Sequence, residues 1–585
     1  MDFSNVNAIN DISQRIEAGI IESTGEKIQN LFMNAAKKSM EVIGKNNQKR
    51  KKSKKSKKWF DKECHDLKHN VRELGRKKHE NPRNNFLRTK YHEKLKEFKR
   101  NCKSKRYHFW QSKFNDIENS LNDAKTFWDK WKKFSEVETP GKKSKIKGEE
   151  WYEHFSNLHS DERGNKIEVT PCNISKKGDI SNEPFSKEEF IEVISKLKTK
   201  KAVGSDSICN EMIKNAPDSI LKLLYDFINL CLRLSLIPRS WCRGLITPIF
   251  KDASTDDPNN YRGICISSAL LKVICLLLQI RIQKHSDKFN LIDSNQIGFR
   301  RAHRTADHLL TLKAVVKKYV TIGKKKMFAC FIDFKKAFDS VWHKGLFHKM
   351  SCNGITENFL NLIKDIYKKS ECGVKVDGVS TEFFSFSKGV RQGCPLSPIL
   401  FNMYINDIFD MANNGNKVDI CLGEGKKVNA LMYADDLIFL SDTEEGLQKL
   451  IDKLGDYCEK WRLEINVKKT KTMVFNRGNK LAKCCIKYNN KILENVKTFK
   501  YLGLSISSKN CNFNPTMDDL SVKANRALFA LNNKYKISIL PTKLAIKLFN
   551  SLITPILLFH RENRRTFIPG IWGQTRSRFC FLFTS

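Results

Sequence analysis

The residues with the strongest chemical potential are three aspartates. Two of them, Asp435 and Asp436, are adjacent within VNALMYADDLIFL, Val428 to Leu440. Apolar runs flank Tyr433-Ala434-Asp435-Asp436, so the stretch reads as strand, tight turn, strand, with two carboxylates at the tip. Neighbouring acids on an apolar hairpin repel each other and are costly to desolvate. A hard divalent cation removes that penalty by taking carboxylate oxygens. A solvated acidic turn is the other reading of such a pair. The third aspartate, Asp333, sits at the end of the apolar run MFACFIDF, Met327 to Phe334. A lone carboxylate at the end of a buried strand needs a partner or a metal.

Polar groups suited to phosphate lie elsewhere in the chain. Lys251 and Arg262 bracket an acidic polar turn between an apolar run, Leu245 to Phe250, and Tyr261-Arg262-Gly263-Ile264. Such a pair can hold a triphosphate, or it can be ordinary surface charge. A second basic cluster, Gln296 to Arg301, opens a helix containing Thr305, Asp307 and Leu309. In Val390 to Pro398, VRQGCPLSP, Gly393 allows close backbone approach to a ligand. The apolar helix Ile399 to Phe409 follows, and a helix N-terminus favours phosphate.

The elements that must position these groups sit in a long, basic chain. Its 585 residues suffice for several domains, and 106 Lys and Arg against 64 Asp and Glu give +42. That field favours polyanions, nucleic acid before a membrane surface. The longest apolar run, Ala269 to Ile280, is too short to span a membrane and is broken by Lys272. The start, MDFSNVNAIND, lacks the basic and apolar regions of a secretory signal. The 18 cysteines show no zinc-ligand spacing and suggest small core residues in a reducing compartment.

Residues 1–140 read as a basic helical region. Within it, the Lys49 to Lys58 block is a solvated linker or a nuclear localisation patch. Trp59, Phe60, Phe86, Tyr91, Phe98, Tyr107, Phe109 and Trp110 alternate with bases at helical spacing. That suits a helix packing on one face and tracking phosphates on the other, with most rings expected in a core. Residues 141–183 read as a linker carrying a short amphipathic helix, Trp151 to Leu158. Ser186 with Glu189 forms a capping box for the helix from Lys187.

In order along the chain, these stretches resemble the motifs of reverse transcriptases of the non-LTR (LINE-type) retrotransposon family, from about residue 190 to about residue 505. FIDFKKAFD resembles motif A, VRQGCPLSP motif B, YADD motif C, INVKKTK motif D and FKYLG motif E. PIFK, DPNNYRGI and QIGFRRAHRT resemble the fingers motifs of the non-LTR branch. The resemblance implies an α+β, right-hand polymerase of fingers, palm and thumb with an antiparallel palm sheet, preceded by the basic helical region. It divides the chain into fingers and palm over 184–505 and a thumb over 506–585.

The resemblance also implies roles. Asp333, Asp435 and Asp436 would be the catalytic carboxylates and ligands of two Mg²⁺ ions, or Mn²⁺ in their place. Lys469 would donate a proton to pyrophosphate, although adjacent lysines could serve. Lys251, Arg262, Phe338, Gln392 and Gly393 would bind nucleotide, with Phe338 a steric gate against the ribose 2′-hydroxyl or plain packing. Phe499, Tyr501, Leu502 and Gly503 would form the primer grip. Implied partners are an RNA template, a DNA primer or target and deoxynucleoside triphosphates, with no membrane; protein partners are not implied. Target-primed synthesis implies the nucleus, with a cytoplasmic ribonucleoprotein stage.

Three departures from the family pattern qualify the reading. Gly263 replaces the usual proline and is expected to loosen a loop. No apurinic-type endonuclease motif precedes residue 140. After SLITPILLF the sequence HRENRRTF replaces the expected thumb continuation, as in a truncated or frameshifted copy. The alternatives are a catalytically decayed nucleic-acid-binding remnant and a group II intron-type maturase.

Overall fold

The structure, a computed structural model, describes residues 17–35, 59–135, 146–161, 180, 182–251, 253–413, 420–423, 426–535 and 540–559. The Lys49 to Lys58 block, most of 162–181 and the HRENRRTF stretch lie outside these residues. The chain divides into two compact units, one of 1–44 and 142–516, the other of 45–141 and 517–585.

The first unit is α+β. The strands of its two five-stranded sheets and of one further hairpin are β1 (Arg243–Phe250), β2 (Tyr261–Ser267), β3 (Met327–Ile332), β4 (Glu371–Val376), β5 (Val379–Ser380), β6 (Phe384–Ser385), β7 (Ala430–Tyr433), β8 (Asp436–Ser441), β9 (Lys471–Phe475), β10 (Glu494–Asn495), β11 (Thr498–Tyr501) and β12 (Leu504–Ser507). One sheet has the order β2-β1-β4-β5, with β6 also pairing β4. The other, which carries the aspartates, runs β10-β9-β3-β8-β7 and is antiparallel except between β9 and β10.

The near-continuous apolar runs of β3 and β8 follow from burial on both faces. Cys330, Ile332, Leu437 and Phe439 enter the larger core with helices Ala269–Lys288, Ser397–Ile405 and Glu444–Lys460. Ala329, Phe331, Ile438 and Leu440 alternate to the other face, against helix Thr305–Val316 and the hairpin β11–β12. Each large apolar side chain buried this way contributes on the order of 1.5–3 kcal/mol. Helix Ala269–Lys288, capped by Ser268 Oγ, buries residues all round, which explains the longest apolar run as core. Among the described residues no helix is long and apolar enough to cross a membrane.

The capping box forms as expected: Ser186 Oγ accepts from Glu189 N–H and the Glu189 carboxylate accepts from Ser186 N–H. Four other expectations change. Helix 17–35, read as part of the basic region, buries Ile21, Ile28 and Phe32 in the larger core of the first unit. Gly263 is not in a loop but in β2, opposite Pro248. A Cβ there would stand 2.5 Å from the Phe155 ring, so glycine serves close packing. Ala337-Phe338-Asp339, whose sequence reads as the start of a helix, forms only a single turn of 3₁₀ helix, Ala337–Ser340. The helix expected over Ile399 to Phe409 breaks after Ile405, where the Asn406 side chain bonds Asp293 N–H and Leu291 C=O.

The second unit is helical. Lys62–Glu80 and Asn85–Glu118 form a helical hairpin, capped by the Asp61 and Asn84 side chains. Its core gathers Phe114, Phe127 and Trp131 with Leu528, Leu544, Leu548 and Phe549. Most rings of the alternating series were expected in a core, yet Phe86, Tyr107 and Trp110 are exposed and the rest half-buried. The second of the two long helices enters that core at its C-terminal end, through Phe114 and Ile117.

Candidate active site at the carboxylate hairpin

Asp333 and the Asp435-Asp436 pair, about a hundred residues apart in sequence, come to one end of the β3–β8 pair. Leu437 lies opposite Ile332, so continuing the antiparallel register sets Asp436 against Asp333. The period of two also fixes their face. Asp333 follows Ile332 and Asp436 precedes Leu437, so both fall on the face of Phe331 and Ile438. Tyr433 pairs with Asp436, leaving Ala434-Asp435 as a two-residue turn. Ala434 is left-handed there, at φ +59°.

The site's electrostatics are those of crowded acids. Burial raises the Asp435 carboxyl above its ordinary value, and Asp333 adds to the shift, while Arg262 and Lys251 oppose it. Burial, then Asp435 and Asp333, push Asp436 up to about 6. The Asp333 backbone is held on both sides by the turn Asn466–Thr470. Asp333 N–H donates to Thr470 Oγ1 at 3.2 Å, and Asn466 N–H donates to Asp333 C=O at 2.8 Å. Lys469 is exposed on that turn, joined to the site through the turn's backbone.

Lys251 directly follows β1 and Arg262 lies in the facing strand β2, with Ile249 opposite Arg262 and Lys251 N–H donating to Asn260 C=O. Their charges reach both Asp435 and Asp339. Asp339 was not singled out by sequence. Burial raises its carboxyl, while Gln392 Nε2 donates to it at 2.8 Å and Lys336 lies close enough to act on it. Gln392 C=O accepts from Cys265 N–H of β2 at 2.7 Å. Gly393 has φ +116°, and a Cβ there would stand 2.7 Å from Cys265 O. The VRQGCP loop is thus laced to β2 on one side and to the segment after Asp333 on the other.

Phe338 is half-buried, stacked on Phe401 at 4.2 Å with its edge to Phe299 at 6.0 Å. Phe499 stacks on Phe331 at 4.4 Å, and Tyr501 lies 5.7 Å from the same ring. Leu502 and Gly503, with φ +45° and +87°, make the two-residue turn of that hairpin. The Tyr501 hydroxyl is buried without a hydrogen-bond partner among the described residues, and burial followed by Asp436 raises its pKa. The carboxylates thus lie at one end of the β3–β8 pair, with charges from the β1–β2 hairpin acting on Asp435 and the β11–β12 hairpin packed on Phe331 of the same strand pair.

The donor set suits a hard cation. It consists of the carboxylate oxygens of Asp333, Asp435 and Asp436, the last two with raised pKa values, in a half-open setting. Among the described residues no group of three or more His, Cys, Asp or Glu is gathered as a ready-made metal cage. That is compatible with Mg²⁺, which is usually held by one or two carboxylates together with substrate phosphates and waters.

Residues 250–506 match the family described as reverse transcriptase (RNA-dependent DNA polymerase). Similar curated proteins include the RNA-directed DNA polymerase from mobile element jockey of Drosophila funebris, 30% identical over 55% of this chain and 35% of that protein. The jockey polymerase of Drosophila melanogaster is 28% identical, again over 55% and 35%. The Pol polyprotein of the R2 element of Nasonia vitripennis is 28% identical over 57% of this chain and 32% of that protein. The chain spans about a third of the length of these relatives. Among solved structures, apo telomerase of Candida tropicalis matches at 15% identity and a TM-score of 0.34, covering 59% of this chain and 61% of that one. The same telomerase with a TWJ fragment of telomeric RNA matches at 14% and 0.35, covering 59% and 55%.

Proposed function

We propose, from the premise that residues 250–506 belong to the reverse transcriptase family, that the chain is an RNA-directed DNA polymerase of a non-LTR retrotransposon. The observation that carries the reading is the convergence of Asp333 with Asp435 and Asp436 at one sheet end, faced by Lys251 and Arg262.

Reverse transcriptases use divalent metal ions; here Asp333 and Asp435 would be the principal ligands and Asp436 the third. These carboxylates would hold two Mg²⁺ ions, or Mn²⁺, whose positive charge would favour ionisation of a primer 3′-hydroxyl and offset the charge of a leaving pyrophosphate. The chain's own residues do the rest. Lys251 and Arg262 draw the triphosphate against the acids that would otherwise repel it. Gln392, held to Asp339, and Gly393, with no side chain, shape the floor under the incoming base pair. Phe338, fixed by Phe401, closes the space of a ribose 2′-hydroxyl. The β11–β12 hairpin with Phe499, Tyr501, Leu502 and Gly503 keeps the primer end in line on the carboxylate face. Lys469, on the turn bonded to Asp333, donates a proton to the departing pyrophosphate.

RNA template, DNA primer and deoxynucleoside triphosphates are the proposed partners, with target-primed synthesis in the nucleus. Residues 59–135 would serve as a basic arm along nucleic acid and 517–559 as a thumb. Primer extension by the full chain on an RNA template, with Mg²⁺ and deoxynucleotides, tests the reading. Extension abolished by Asp435→Ala is expected. No extension from a folded chain that still binds RNA would instead support a non-catalytic remnant.

A further inference from the structure

Gln296 stands beside the outer strand β7, and its side chain is fully buried. Its Oε1 accepts from Ala434 N–H at 3.1 Å and from Gly298 N–H at 3.0 Å. Its Nε2 donates to Ala434 C=O at 3.2 Å. One amide thus engages both backbone polar groups of the residue between Tyr433 and Asp435. The main chain reinforces the contact: Met432 N–H donates to Asn295 C=O, and Ile297 N–H donates to Met432 C=O. Gly298 permits the approach, since a Cβ there would stand 2.2 Å from Ala434 N.

Ala434 holds a left-handed φ of +59°, which residues with a Cβ adopt only when their surroundings enforce it. A glycine at 434 would adopt that φ without strain and would need no clamp to hold it. Alanine with an external clamp gives a turn with one conformation. The clamp is anchored in turn. Asn402 Nδ2, buried in helix Ser397–Ile405, donates to Gly298 C=O at 2.8 Å. Asn406 holds Asp293 N–H and Leu291 C=O. That helix directly follows the Gln392-Gly393 loop.

We infer that Gln296 is a positioning residue of the polymerase site: its amide fixes the left-handed turn at Ala434 and so aims Asp435 and Asp436. Through Gly298 and Asn402 it also ties that turn to the helix behind the nucleotide loop. The inference rests on the polymerase reading. A core role alone would be met by any side chain of that volume, whereas here every hydrogen bond of the amide falls on the turn or on the glycine packed against it.

The test uses the full chain carrying Gln296→Met, Ala434→Gly, or both, with two readouts. The first is hydrogen exchange at the Ala434 amide without metal or nucleotide. Gln296→Met should speed it about fivefold or more, from loss of a buried hydrogen bond. The second is single-turnover incorporation across a Mg²⁺ titration. Gln296→Met should lower the maximal rate about tenfold to a hundredfold and raise the Mg²⁺ needed for half of it, leaving the nucleotide KM within about twofold. Adding Ala434→Gly should recover most of the rate, because glycine accepts the turn unaided. A merely structural glutamine would show the reverse, the second substitution deepening the loss.

Exchange and rate both within about twofold of the parent chain would overturn the inference, as would an Ala434→Gly that deepens the loss. If Gln296→Met does not fold, Gln296→Glu replaces it. That variant keeps the two accepted bonds, so its effects should run in the same direction and be smaller. Failure of the polymerase reading is distinguishable, because the parent chain would then extend no primer while the exchange arm would still report on the clamp.

Discussion

Replacing Asp436 by asparagine should stabilise the metal-free chain at neutral pH while reducing its activity. In the folded chain burial, followed by the charges of Asp435 and Asp333, pushes this carboxyl from 3.8 up to about 6. A carboxyl raised on folding contributes stability that is fully present below its unfolded pKa and is lost as pH rises through about 6. The shift of roughly two units, at about 1.4 kcal/mol each, sets an upper bound near ~3 kcal/mol. Asp436 is exposed, so solvent screening reduces the figure to about 1–2 kcal/mol. Asparagine keeps the shape without the charge. Urea unfolding of parent and Asp436→Asn in chelator should therefore favour the variant by about 1–2 kcal/mol at pH 8, with most of the gain gone by about pH 4. Millimolar Mg²⁺ should narrow the gap by stabilising the parent. A variant no more stable than the parent at pH 8, or a gain independent of pH, would refute the crowded-carboxylate account.

Other perturbations have equally definite outcomes. Gly393→Ala forces a Cβ to within 2.7 Å of Cys265 O at a left-handed φ. It should cost about 1–3 kcal/mol in unfolding experiments and lower incorporation at least tenfold; a neutral variant would show that the loop does not need this approach. Phe338→Val should raise ribonucleotide incorporation relative to deoxynucleotide by on the order of tenfold or more in a competition assay, and an unchanged ratio would leave Phe338 a packing residue. Binding of a primed RNA template should weaken by about 10³-fold or more between low and moderate salt if ~6–10 phosphates are contacted. A flat titration would contradict a basic groove on a chain of net charge +42.

Much of the site was legible because its signals are local. Strand-turn-strand patterning placed Asp435 and Asp436 on a hairpin tip, and the apolar run before Asp333 marked a buried strand. Their meeting was not local; the sequence supplied it only through resemblance, and the register Leu437 to Ile332 supplies it physically. In the sequence Gln296 reads only as the start of a basic cluster and of a stretch resembling a fingers motif. Its role depends on a turn 138 residues away, and a buried amide leaves no periodic trace. The Asp339–Gln392 bond escaped notice for the same reason. Gly263 was misplaced because a missing proline says nothing about the Phe155 ring that packs over it. Helix 17–35 falls within the stretch read as one basic helical region; its apolar residues at helical spacing do not tell which core they enter, and Ile21, Ile28 and Phe32 face one built from distant elements.

The central claim is that Asp333 belongs to the same catalytic centre as the carboxylate hairpin. Single-turnover incorporation of one deoxynucleotide on a primed RNA template, by the parent chain and by Asp333→Asn, tests it most directly. The account predicts a rate loss of about 10³-fold or more, with primed-template binding unchanged. A variant within about threefold of the parent would contradict it.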